Sequence, residues 1–242
     1  MLNTMVWFLE GVCFLPTFLV IWSSSTFIIN YLIAVFRRDI DVVVPYISDT
    51  GASPPESCIF GLMATISSFA GFVTMFARYK FVQRLSEQTA KVTSTLNKIA
   101  LFFATTSCVG MCVVATFQET QMMVVHDIGA LVFFISGVIY IILQTIISYY
   151  SYPNGTSKCV YYFRIAFALV AFVAAIPTII CAIQVNTTKL HWNPEDKDYT
   201  LHIVSAVSEW TVAFTFVFFF FTYIEEFKQF TLKVHVELPE FT

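Results

Sequence analysis

The sequence predicts an all-α membrane protein, a bundle of six transmembrane helices with both termini in the cytosol. Three observations carry that expectation. Six stretches, at about 11–36, 57–77, 99–117, 128–150, 165–185 and 203–224, each approach the roughly 20 apolar residues a helix needs to cross about 30 Å of hydrocarbon, leaving 225–242 as a short tail. The 242 residues are 57% hydrophobic and 12% charged, with a mean hydropathy of +0.75, where soluble domains run at roughly 45–50% and 25%. Basic residues are unevenly shared between the loops. Arg78, Lys80, Arg84, Lys91, Lys98, Lys158, Arg164, Lys228 and Lys233, nine of 13, fall on the side of the termini. Arg37, Arg38, Lys189 and Lys197 lie on the other, among Asp39, Asp41, Asp49, Glu56, Glu119, Glu195, Asp196 and Asp198. By the positive-inside rule the first side is cytosolic and the second, acidic side lumenal or extracellular.

The first stretch exceeds a signal-peptide apolar region and lacks both a basic leader and a small-residue cleavage site, so it is expected to persist as a signal anchor. Pro16 should kink it, as Pro177 should kink the fifth. The first lumenal loop contains Asp49-Thr50-Gly51, the tripeptide of aspartic proteases. That chemistry needs two carboxylates sharing a proton across a sheet cleft, and the sequence offers neither a second copy nor strands. The segment reads instead as a turn, with Asp49 bonding backbone, Gly51 admitting positive φ, Pro54 and Pro55 stiffening the approach, and Glu56 near the positive end of the second helix.

The loop at 78–98 carries five basic residues and one acid, Glu87, which suits a topology determinant or contact with anionic head groups at about 1 kcal/mol per basic residue. In the third span Ala104, Cys108, Cys112 and Thr116 form a stripe of small residues that lets helices approach. Cys58 and Cys181 fall where a disulfide is chemically permitted, and Cys159 is read as a free thiol with palmitoylation as the alternative. Two glycosylation sequons begin at Asn154 and Asn186, and topology leaves only Asn186 on the lumenal side. The last lumenal loop, Lys189 to Tyr199, is dense in polar and aromatic residues and should cap the bundle. Tyr46, Asp49, Gly51 and Glu56 of the first loop with Trp192, Asn193 and Pro194 of the last form the candidate recognition surface.

A charge inside the bilayer is costly, so Glu209 in the sixth span should be buried in the bundle and either hydrogen-bonded or protonated. His202 lies seven residues earlier on the same face, and His126 and Asp127 enter the fourth span from the same side, so these four form a candidate polar cluster. They lack the tight His-x-x-x-His or Glu-x-x-His spacing of metal-binding helices, so the cluster is read as fixing helix register, with metal or proton-relay chemistry as the alternative. No catalytic residue, cofactor or metal is assigned. The net charge of −3 and the lack of a large basic patch argue against nucleic-acid binding. No repeated halves suggest a transporter. The phenylalanines of the sixth span, Phe214, Phe216 and Phe218 to Phe221, are expected to face lipid on that half.

Several segments occur in an order and spacing that resemble one family. They are Phe14-Leu15-Pro16 with Ile21-Trp22-Ser23-Ser24, Pro45 to Gly51 with Pro55-Glu56-Ser57, Ala77-Arg78-Tyr79-Lys80, Phe117-Gln118-Glu119, and His191 to Tyr199 leading to Glu209-Trp210. From end to end the chain resembles the DNA-damage-regulated autophagy modulators, the DRAM family, within a wider group that includes Sfk-type plasma-membrane proteins. The resemblance implies a lysosomal, multi-span regulator that promotes autophagy and p53-linked apoptosis, and it brings no known active site; with the sequence offering no catalytic constellation, the expected mode is non-enzymatic, through membrane lipids and unidentified membrane or autophagy proteins. Relatives in the wider group are tied to phosphoinositide regulation and lipid organisation, which keeps a lipid-directed enzyme or transfer role as the alternative. Tyr79-Lys80-Phe81-Val82 fits the tyrosine-based pattern read by clathrin adaptors, although packing at the membrane interface is the simpler reading.

Overall fold

The computed structural model describes residues 11–185 and 189–233. Six helices are long and apolar enough to span a membrane: α1 Phe14–Arg37, α2 Glu56–Thr89, α3 Ser94–Thr116, α4 Glu119–Ser151, α5 Lys158–Gln184 and α6 Tyr199–Phe221, which a short α7, Ile224–Phe227, follows. No strand occurs among the described residues. One end of the bundle carries the long connections 38–55 and 185–198 and is here the acidic end. Residues 12 and 227 meet at the other, the terminal end, where Val12 N–H donates to the Phe227 carbonyl at 2.9 Å.

The helices outrun the apolar stretches because the polar residues flanking them are helix formers. No Gly or Pro interrupts 72–89, so α2 continues through most of the basic loop and stops only at Ala90, in the left-handed region at φ 54°. Thr93 then caps α3, accepting from Leu96 N–H at 3.3 Å. The adaptor-type tetrapeptide is thus helical with Val82 fully buried, so its apolar residue is not available to an adaptor. α4 likewise begins nine residues before its apolar run, with one non-helical residue, Met122.

Small residues set the helix spacing. Ser68 Oγ on α2 donates to the Cys108 carbonyl at 2.8 Å, and the Cys112 thiol donates back to Ser68 at 3.2 Å, so the stripe serves packing. A Cβ on Gly110 of α3 would lie 2.5 Å from the backbone of Phe133, which is how close α3 and α4 approach. α4 meets α5 over less of its length than it meets α3. The phenylalanines of α6 divide: Phe218 and Phe221 are exposed, but Phe216 and Phe219 are buried in the core, correcting the expectation of a lipid-facing half. All six cysteines are free, including Cys58, Cys159 and Cys181.

Candidate functional site

The 38–55 connection folds into the acidic end as a plug. Ile47, Asp49, Thr50, Gly51 and Ala52 are buried, and the 3-10 turn Asp49–Gly51 sits against α2. Backbone N–H groups carried this deep need acceptors, and carboxylates supply them. Glu209 Oε2 of α6 accepts from Ile47 N–H at 2.9 Å, Asp49 Oδ2 accepts from Tyr46 N–H at 3.0 Å, and Glu119 Oε2 at the start of α4 accepts from Ser48 Oγ at 2.6 Å. Trp210 Nε1 adds a bond to the Pro45 carbonyl at 2.8 Å. Gly51 is not at positive φ, contrary to expectation. It is small because a Cβ there would lie 2.5 Å from the Phe60 ring. Glu56 begins α2, buried, and pairs with Arg37 at 2.6 Å.

The second connection docks on the first. Asp41 accepts from Trp192 N–H at 2.6 Å and from His191 Nδ1 at 3.0 Å. Burial alone would raise the Asp41 carboxyl, but these two donors outweigh it and hold it below the usual range. Trp192 stacks on His202 with ring centres 4.4 Å apart, and Tyr46 meets His202 edge-to-face at 4.7 Å. Asn193 and Asp196 close a turn, Asn193 N–H on Asp196 Oδ2 at 3.0 Å, and Lys189 pairs with Asp196 at 2.9 Å. Pro194 lies in that exposed turn.

Beneath the plug, between α4, α5 and α6, lies a cavity of about 430 Å³. Tyr46, Asp49, His126, Asp127, Trp192 and Glu209 line it, as does Glu119, which sequence reasoning treated only as a loop charge. His126 Nδ1 bonds the Phe117 carbonyl at 2.7 Å, and its Nε2 lies 4.0 Å from Glu119. Burial, together with the Glu119 and Glu209 carboxylates, drives Asp49 well above the usual carboxylate range against the lowering effect of Tyr46 N–H. His202 does not reach the cavity, being enclosed by Trp192 and Tyr46. Gly51, Glu56, Asn193 and Pro194 support the cap from outside it. Among the described residues no group of three or more His, Cys, Asp or Glu is arranged to hold a metal. Asn186 lies outside the described residues.

A second polar cluster, at the terminal end, was not foreseen. Arg78 of α2 and Arg164 of α5 are fully buried and converge on Glu226 of α7. Arg164 is bidentate, Nη1 to Oε1 at 2.9 Å and Nη2 to Oε2 at 3.0 Å, and Arg78 Nη1 reaches Oε2 at 2.6 Å. Thr156 also donates to Glu226, and Arg164 donates to Ser148 Oγ at 2.7 Å and Thr222 Oγ1 at 2.9 Å. The Tyr223 ring lies under both guanidiniums, 5.3 Å and 4.7 Å away. Glu226 thus ties α2, the connection after α4, α5 and the chain after α6 together, and its arginines reach α4 through Gln144 and Ser148.

Fold and sites define a multi-pass helical membrane protein with a plugged acidic end and an ion-paired terminal end. The Frag1/DRAM/Sfk1/Cwh43P N-terminal domain profile matches residues 11–230. DNA damage-regulated autophagy modulator protein 1 of Mus musculus is 47% identical over 236 residues, 98% of this chain and 99% of that protein. Its Homo sapiens counterpart is 47% identical over 234 residues, 97% and 98% of the two chains. DNA damage-regulated autophagy modulator protein 2 of Mus musculus is 40% identical over 246 residues, 98% of this chain and 92% of that protein. No solved structure matches. The chain belongs to the DRAM family of membrane proteins, whose members here carry names of autophagy modulators rather than of enzymes.

Proposed function

We propose that this chain is a lysosomal membrane protein that modulates autophagy, with a p53-linked role in apoptosis, through contacts with membrane lipids and with other membrane or autophagy proteins. In this reading the termini are cytosolic, the plugged acidic end faces the lumen, and Asn186 carries glycan. The observation that carries it is the use made of the buried acids. Glu209, Asp49 and Glu119 each spend an oxygen holding the plug, so the polar residues build a shaped lumenal surface. The names of relatives covering nearly the whole chain supply the process.

The test is autophagic flux in cells lacking the chain, measured as marker turnover with and without blocked lysosomal degradation, with the tagged protein localised in the same cells. Loss of flux restored by lysosome-resident protein is expected. Unchanged flux, or protein absent from lysosomes, overturns the reading. The alternative of lipid-directed chemistry draws on His126, Asp127 and Glu209 facing one cavity. A stable, correctly located Glu209→Gln variant that leaves both flux and lipid composition unchanged removes that alternative.

A further inference from the structure

The cavity at the acidic end has two unlike halves. Its inner wall presents Asp49, Glu119 and Glu209, with Asp127 exposed at its edge. Asp49 is 4% exposed and Glu209 9%, and each has one carboxylate oxygen bonded to a backbone N–H of the plug. The other oxygen of each meets no hydrogen-bond donor among the described residues, although the residue lines open space. Buried acceptors are ordinarily satisfied, and buried carboxylates pair with a cation. Besides His126, the one basic lining residue among those described is Lys189, which stands at the rim over the Trp192 ring, already paired with Asp196. Asp49 and Glu209 therefore have no cationic partner among the described residues, and Glu119 has only His126, 4.0 Å away.

The outer wall is apolar, built from Ile128, Leu131 and Phe134 of α4 with Ile179, Ala182 and Ile183 of α5. Ile128 and Ile183 line the cavity while remaining 58% and 74% exposed, so this wall runs out onto the lipid-facing surface between the two helices. The volume of about 430 Å³ lies within the roughly 300–1,000 Å³ of small-molecule sites. A ligand matching both halves carries a compact cation at one end and a single hydrocarbon chain at the other.

We propose that the cavity binds a single-chain amphiphile with an ammonium head, such as a sphingoid base, which enters sideways between α4 and α5, sets its ammonium among Asp49, Glu119 and Glu209, and leaves its chain in the bilayer. This rests on the lipid-contact part of the function proposed above and names the lipid class. An ammonium offers the three donors that the idle carboxylate oxygens lack, while a phosphate head set among Asp49, Glu119 and Glu209 would face like charge.

The experiment uses the purified full-length protein in phosphatidylcholine nanodiscs near neutral pH and a photoactivatable sphingosine as probe. Competitors are unlabelled sphingosine, octadecanol and butylamine. Sphingosine should displace the probe where equal concentrations of octadecanol or butylamine do not, and the crosslinked peptides should come from α4 or α5. Glu209→Gln and Asp49→Asn should each weaken binding about tenfold, as loss of one charge-assisted bond predicts. Ala182→Phe, on the exposed wall and away from the carboxylates, should block labelling without touching the plug. Equal competition by octadecanol would reveal a plain apolar groove, equal competition by butylamine a water-facing cation site, and wild-type binding by both Glu209→Gln and Ala182→Phe a crosslink elsewhere; each overturns the proposal. Binding is read on isolated protein, so its failure leaves the flux experiment standing, and failed flux leaves the binding result standing.

Discussion

Replacing Glu226 by Ala removes the anion on which two buried arginines converge. Arg164 would lose both arms of its bidentate contact, at 2.9 Å and 3.0 Å, and Arg78 its 2.6 Å contact, leaving two fully buried guanidiniums facing one another. Breaking a buried ion pair from one side costs about 3–5 kcal/mol, because the remaining charge has lost water and partner alike. For a chain of this size each kcal/mol shifts the melting temperature by about 2–4 °C, so a fall of roughly 6–20 °C is expected. Arg78→Met should cost less, since it leaves the bidentate pair of Arg164 and Glu226 balanced. The assay is thermal unfolding of detergent-purified protein followed by tryptophan fluorescence. A Glu226→Ala variant melting within about 2 °C of wild type, or one more stable than Arg78→Met, would refute the reasoning.

Gly51→Ala should destabilise by about 1–3 kcal/mol, read as a lower melting temperature, because the new methyl would lie 2.5 Å from Phe60 Cγ and 2.6 Å from its Cβ. The raised Asp49 carboxyl binds its proton more tightly in the folded than in the unfolded state, so stability should rise as pH falls from neutral toward the ordinary carboxylate range. Melting temperature should therefore be higher at about pH 5 than at about pH 7.5, and Asp49→Asn should flatten that slope; a steeper slope in the variant would contradict the assignment. The Asp41 latch, held below the usual range, loses its contribution only as pH falls below that range, so it should persist through mild acidity. Asn186→Gln should abolish the glycosidase-sensitive mobility shift and Asn154→Gln should leave it intact, and a shift that followed Asn154 would invert the topology.

The six spans were legible because bilayer thickness imposes a length and polarity that no soluble helix needs. Helix ends were not, since 78–89 and 119–127 are polar yet contain no breaker, and polarity says where lipid stops rather than where helix stops. Three of the four candidate cluster residues, His126, Asp127 and Glu209, share a cavity because parity of the spans puts them at one end. His202 failed for a geometric reason: seven residues along α6 separate it from Glu209 by about 10 Å of rise, enough for a different neighbour, Trp192, to cover it. Arg78 and Arg164 counted as topology-setting surface charges, and their partner Glu226 as part of a tail. Only the fold could show that α2, α5 and α7 deliver them to one point. For Gly51 the residue was noticed and its reason mistaken, because close approach by Phe60 leaves no trace in the local sequence.

The proposal that the capped acidic end is the acting surface is tested most directly by unlatching it. Asp41→Ala combined with Trp192→Ala removes the acceptor for Trp192 N–H and the ring stacked on His202, and leaves the buried carboxylates in place. The measurement is autophagic flux in cells lacking the chain that express this variant at wild-type lysosomal abundance. The account predicts that flux stays at the level of the unrescued cells; full restoration by the unlatched protein would contradict it.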